Sequence, residues 1–230
     1  MTVFYVFLFD NYFVLSAKTC IFAPKYMNNN IQQEVHWSEN VILVDADYVD
    51  KVAFNLIVNF ERMLGRPVPQ ADMPHWIDCV ALDGGLRQGD NQTQVVLIHT
   101  KNRQRLDNFM PGNFAADLTD KAFKDHLGEF VFNAYSAEED LVSHADFFAD
   151  ALQLVVEQKE VRRIIVIPNA EDDYIYNKVR TTLNKVGDEE KRITVLTMQP
   201  MPGGNFRQEI LGYSLMAALG ISADEINSKS

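Results

Sequence analysis

Cysteine is nearly absent: Cys20 and Cys79 are the only two in 230 residues, and they lack C-x-x-C spacing. That excludes a disulfide framework and a zinc cluster, and a reducing cytoplasm is the simplest setting. Basic residues are the minority, 21 against 32 acidic, leaving a net charge of −11. An extended nucleic-acid footprint runs on the opposite balance. Long apolar runs are missing too. Phe4-Tyr5-Val6-Phe7-Leu8-Phe9 is broken at Asp10-Asn11, well short of the ~20 residues that span a bilayer, so no membrane partner is expected. No basic region precedes it, as a secretory signal requires. The glycines match neither P-loop nor dinucleotide spacing, and there is no internal repeat or low-complexity tract.

What remains is a chain with 47% hydrophobic residues, long enough to bury roughly 70–75% of its unfolded surface in one core. Residues 1–30 read as an extension outside that core. Met27-Asn28-Asn29-Asn30 resembles an ordinary flexible start, which makes Met27 a candidate initiator. Residues 31–226 are expected to form a single domain, and residues 227–230 a frayed tail.

Val41 to Val44 is an apolar, β-branched run ending in Asp45, which reads as a buried strand. Asp50 then stands where a cap is expected, before apolar positions at helical spacing up to Gly65. Ile77 to Leu82 and Val95 to His99 read as strands joined by a Gly- and Asp-rich loop, a possible long hairpin. Leu118 to Leu127 reads as a helix, Phe130 to Ala134 as a strand, and Leu141 to Gln158 as a helix. Ile164 to Ile167 is a strand, followed by a helix that Asp172 or Asp173 opens. Ile193 to Leu196 is a strand, and Gln208 to Leu219 a helix. Alternating strands and helices imply right-handed crossovers. The expected fold is α/β, three-layered, with a doubly wound and mostly parallel sheet.

In such sheets ligands bind outside the carboxyl ends of the strands, and acids collect there. Asp45 and Asp47 end the first strand. Glu171, Asp172 and Asp173 follow the strand at Ile164. Asp146 and Asp150 lie one turn apart on the intervening helix. Hard cations such as magnesium and manganese take oxygen ligands of this kind, and two such ions can activate water against a phosphodiester. Each acid equally suits helix capping, which needs no metal.

These stretches resemble a family. Asp146-Phe147-Phe148-Ala149-Asp150, Arg163-Ile164-Ile165-Val166-Ile167 and Glu171-Asp172-Asp173-Tyr174 resemble the NYN branch of the PIN-like nucleases, and Val44-Asp45-Ala46-Asp47 resembles their first acidic strand end. The likeness runs from Val41 to Gln199, and Pro168-Asn169-Ala170 stands where the family has a Ser-Gly turn. The resemblance implies a PIN-like or Rossmann-like fold acting on single-stranded RNA or another phosphoester. Asp45, Asp146 or Asp150, and Asp173 would be catalytic metal ligands for Mg2+ or Mn2+, with Asp47 and Glu171 also in the metal set and Tyr174 in a packing position. The whole chain also resembles an uncharacterised family from anaerobic gut bacteria. Two alternatives stand beside the nuclease. One is a non-catalytic binding or scaffold domain. The other is a haloacid-dehalogenase-like phosphatase, since Asp45-x-Asp47 resembles its nucleophile and acid pair.

His36, His75, His99, His126 and His144 show no paired metal spacing; His99, at a strand end, is the one to test. Trp37 and Trp76 read as packing residues. Arg162-Arg163 and Lys101 to Arg105 read as solvated basic patches.

Overall fold

The computed structural model describes residues 37–137, 142–186 and 190–229. The proposed extension at 1–30 lies outside the described residues. The chain begins with strand β1 (Asn40–Asp45) and passes directly into helix α1 (Ala46–Leu64). Asp45 is the cap: its carboxylate accepts the Tyr48 amide at 3.1 Å. Gly65 ends the helix with a φ of 67°, a left-handed turn that glycine adopts without strain. A short strand β2 (Ala71–Asp72), helix α2 (Met73–Asp83), strand β3 (Asn91–Thr100) and strand β4 (Phe109–Met110) follow. A π-helical turn (Phe114–Leu118) leads to β5 (Lys121–Asp125) and β6 (Gly128–Ala137). The chain then alternates through α3 (His144–Glu157), β7 (Arg163–Ile167), α4 (Asp173–Leu183) and β8 (Arg192–Thr197), and ends in β9 (Arg207–Ile210), α5 (Leu211–Ala218) and α6 (Ala223–Lys229).

Seven strands form one sheet in the order β5-β6-β3-β1-β7-β8-β9. All neighbours run parallel except β5, which lies antiparallel on the edge of β6. β1 sits between β3 and β7. In register, Asp45 lies level with Ile98, and Val44 with Ile167.

Side chains of β1 alternate between two cores, as strand geometry dictates. Ile42 and Val44 join a cluster with α1, α2 and α5. Val41 and Leu43 join a second cluster with α3 and α4. All six residues of β1 are buried, and each large aliphatic among them stabilises the fold by roughly 1.5–3 kcal/mol. Helices therefore cover both faces of the sheet, giving a single three-layer α/β domain.

Several expectations from sequence are corrected. Ile77 to Leu82 is helical, within α2. Trp76, Ile77, Val80 and Ala81 face the core at helical spacing, and Asp72 caps the helix by accepting the His75 amide at 3.0 Å. No hairpin therefore joins this segment to β3, which pairs with β1 and β6 instead. Leu118 to Leu127 is mostly β5. Phe123 stacks on Phe130 across the strand pair at 4.8 Å, so cross-strand aromatic packing overrides local helix propensity. Gln208 to Ile210 belongs to β9, not to the following helix. Asp50 caps nothing; Asp45 starts the helix sooner than the apolar spacing indicated. No helix among the described residues is long and apolar enough to cross a membrane.

Candidate functional site

The carboxyl edge of the sheet is built from the ends of β1, β7 and β8 and the first turns of α1, α3 and α4. Asp45 closes β1 and is 1% exposed. One function of its carboxylate is the α1 cap. The other is contact with His144, the first residue of α3, whose Nε2 lies 3.2 Å from Asp45 Oδ2. The His144 side chain is 19% exposed, so the pair reaches the surface through the imidazole.

Asp146 lies one residue past Ala145 on α3 and gathers three donors. Ser143 Oγ donates to Oδ2 at 2.7 Å, Tyr174 OH donates to Oδ1 at 2.8 Å, and the Lys178 ammonium ion-pairs with Oδ1. Lys178, then Ser143 and Tyr174, hold this carboxyl well below the usual carboxylate range. The same contact with Asp146 holds the Lys178 ammonium above its ordinary value. The Lys178 Nζ also lies 4.7 Å from the centre of the Tyr174 ring. Tyr174, expected in a packing position, is instead 53% exposed and serves through its hydroxyl.

The remaining candidates separate. Asp47 accepts the Thr100 amide at 2.8 Å, fastening α1 to the end of β3, and faces Arg103 at 3.6 Å. Arg103 also holds Asp50 at 3.0 Å. Glu171 pairs with Lys51 at 3.1 Å, a surface pair worth at most ~1 kcal/mol. Asp172 is the α4 cap, accepting the Tyr174 and Ile175 amides. Asp150 and Asp173 are exposed on their helices. Among the described residues, no group of three or more His, Cys, Asp or Glu side chains is arranged to hold a metal ion. His99 Nδ1 donates to Thr100 O, 2.8 Å away, and the ring stacks on Phe114 at 4.0 Å, which makes it a packing residue. A phosphatase of the dehalogenase type needs a flap after its first strand, and α1 follows β1 without a break.

Beside this cluster lies a cleft of ≈ 200 Å³ lined by Tyr48, Ala170, Glu171, Thr197, Met198 and Met201. Tyr48 is 3% exposed, and its hydroxyl has no hydrogen-bond partner among the described residues. Burial, then Glu171 and Asp45, push the Tyr48 phenol well above its ordinary value, so it stays protonated.

His144, Ser143 and Lys178 were missed in the sequence. Nothing local marks His144 and Lys178, because each meets an acid on another element, whereas Ser143 stands three residues before Asp146 at the spacing of a helix cap.

Residues 34–226 match a family of unknown function, DUF6621, and the chain belongs to that family. No curated protein and no solved structure matches the chain. None of the comparisons names a nuclease, a phosphatase or a PIN-like relative.

Proposed function

We propose that this is a doubly wound, PIN-like domain that binds a small ligand at the carboxyl edge of its sheet and whose acidic edge works without a divalent metal. The strand order supports the fold reading: leaving out β5, the strands in chain order lie as 3-2-1-4-5-6, the doubly wound arrangement. Ligands in such sheets enter where the order reverses, here beside β1 and β7.

The observation that carries the chemistry is that protein side chains already occupy the acids. Asp146 holds Lys178, and Asp45 holds His144. A hard cation needs several unengaged carboxylate oxygens, and here it would have to displace an ammonium and an imidazole first. The cleft is smaller than the ~300 Å³ at the low end of drug-sized sites, so its occupant is a fragment-sized molecule. The Tyr48 hydroxyl supplies a donor for an acceptor on that molecule. An unmet buried donor costs about 1–3 kcal/mol, and a ligand acceptor would recover part of it.

Single-stranded RNA is the partner that the nuclease reading names, and the net charge of −11 opposes it. The test is fluorescence anisotropy and gel analysis with a labelled single-stranded RNA, with EDTA or with manganese. No cleavage in either condition is expected. Manganese-dependent cleavage lost in Asp146→Asn would restore the nuclease or phosphoesterase reading and overturn this one.

A further inference from the structure

At the amino edge of the sheet, opposite the cleft, arginines collect in a protein whose net charge is −11. Arg163 opens β7, Arg192 opens β8 and Arg207 opens β9. Register and alternation bring their side chains to one face. Arg163 lies level with Arg192, and Arg207 lies level with Thr194, the next residue of β8 on the same face as Arg192. Ile164 and Ile193 turn to the core under α3 and α4, so the arginines turn the other way, towards α2 and the loop that leaves it. Arg163 Nη1 donates to Gly84 O at 2.5 Å. A β-carbon on Gly85 would lie 3.1 Å from Arg163 Nη1 and 3.5 Å from Arg207 Nη1. The two guanidinium ends thus close on one bare backbone position, within the span of a single oxyanion at ordinary hydrogen-bond lengths. Arg162-Arg163, expected to be a solvated patch, divides: Arg162 is exposed beside Glu39 at 3.7 Å, and Arg163 is half-buried.

The positive charge here is only partly met. Glu209 holds Arg207 at 2.6 Å, and Asp83, at the end of α2, feels both of them. Arg163 Nε is buried and meets no acceptor among the described residues. No described carboxylate lies at ion-pair distance from Arg163 or Arg192. Arg87 comes from the same loop, where its Nη1 donates to Leu86 O at 3.2 Å. Burial first, then Arg192 and Arg87, lower the Arg163 guanidinium from its ordinary value, and Glu39 acts against them.

We propose that the loop leaving α2 and the first residues of β7, β8 and β9 form a binding site for a phosphate-class oxyanion, held by Arg163, Arg192 and Arg207 with Arg87 at the rim. The guanidinium fork presents paired donors that match the oxygens of a phosphate. A doubly charged anion relieves the crowding of like charges, and its second charge offsets the repulsion from Asp83 and Glu209. The ligand is inorganic phosphate or the phosphoryl end of a small metabolite.

The test is the melting temperature with up to ~5 mM sodium phosphate or glycerol 3-phosphate, sodium chloride holding the ionic strength constant. Low millimolar concentrations keep the general stabilising effect of such anions small. A saturable rise is expected, as for a ligand that binds only the native state. A rise with phosphate assigns the free ion, and a rise with glycerol 3-phosphate alone assigns a metabolite. The Gly84 and Gly85 amide NMR signals should move over the same titration. Arg163→Gln should abolish the rise, and the exposed Arg192→Gln should weaken binding by about tenfold or more. Glu209→Gln, which releases Arg207 and removes a repelling charge, should strengthen binding. No saturable rise with either probe, an equal rise in Arg192→Gln, weaker binding in Glu209→Gln, or unmoved Gly84 and Gly85 signals would each overturn the site. If Arg163→Gln fails to fold, Arg192→Gln and Glu209→Gln decide.

Discussion

His144 Nε2 stands 3.2 Å from Asp45 Oδ2, joining the first residue of α3 to the last residue of β1. The same carboxylate caps α1. Asp45 thus meets structural partners in two directions, the Tyr48 amide and the His144 ring. We predict that Asp45→Ala lowers stability by roughly 2–4 kcal/mol, from a lost cap at ~1 kcal/mol and an abandoned buried partner at ~1–3 kcal/mol. Asp45→Asn, which keeps a cap oxygen, should cost less than Asp45→Ala but still destabilise. Urea unfolding measures both. A neutral or stabilising Asp45→Asn would mean that Asp45 is a repelled member of an acidic cluster.

Arg103 joins Asp47 and Asp50 from the segment after β3. The Asp50 side chain is only 2% exposed, and removing one partner of a buried pair costs about 3–5 kcal/mol. Asp50 keeps the Asn108 amide at 2.8 Å, so Arg103→Ala should fall near the low end, about 3 kcal/mol by urea unfolding. Arg103→Lys should recover only part of it, because one ammonium cannot fork to two carboxylates. A loss under about 1 kcal/mol, the usual worth of an exposed pair, would show that water already solvates Asp50.

The sequence made the central strands legible because burial on both faces leaves an unmistakable apolar run, as in Val41 to Val44 and Ile164 to Ile167. It also brought the acids of the carboxyl edge to notice, since strand ends and helix starts can be located from such runs. It misread α2, where Ile77 to Leu82 is too short for periodicity to separate strand from helix. It misread β5, whose pairing with β6 is a tertiary preference. The charge balance of the site was invisible for the same reason. His144 and Lys178 find Asp45 and Asp146 only after α3 and α4 have packed on the sheet.

Cys79 offers a check on the α2 environment. Burial, then Asp83 and Asp78, push its thiol above the ordinary value, and the thiolate is the reactive form. In a Cys20→Ser background, iodoacetamide at pH 7.5 should modify folded Cys79 at least tenfold more slowly than the urea-unfolded chain. Equal rates would place the thiol in open solvent and weaken the account of this face.

The central claim is that protein side chains, the Lys178 ammonium foremost, already occupy the acids at the carboxyl edge. The direct measurement is the melting temperature of wild type, Lys178→Met and Asp146→Asn with and without ~5 mM manganese, at constant ionic strength. A ligand that binds only the native state at 100 times its dissociation constant stabilises by ~2.7 kcal/mol, a shift of several degrees. The account predicts that manganese moves the wild type by less than one degree, and Lys178→Met hardly more, since that variant frees one carboxylate where a hard cation needs several. A rise of several degrees in the wild type, abolished in Asp146→Asn, would contradict it.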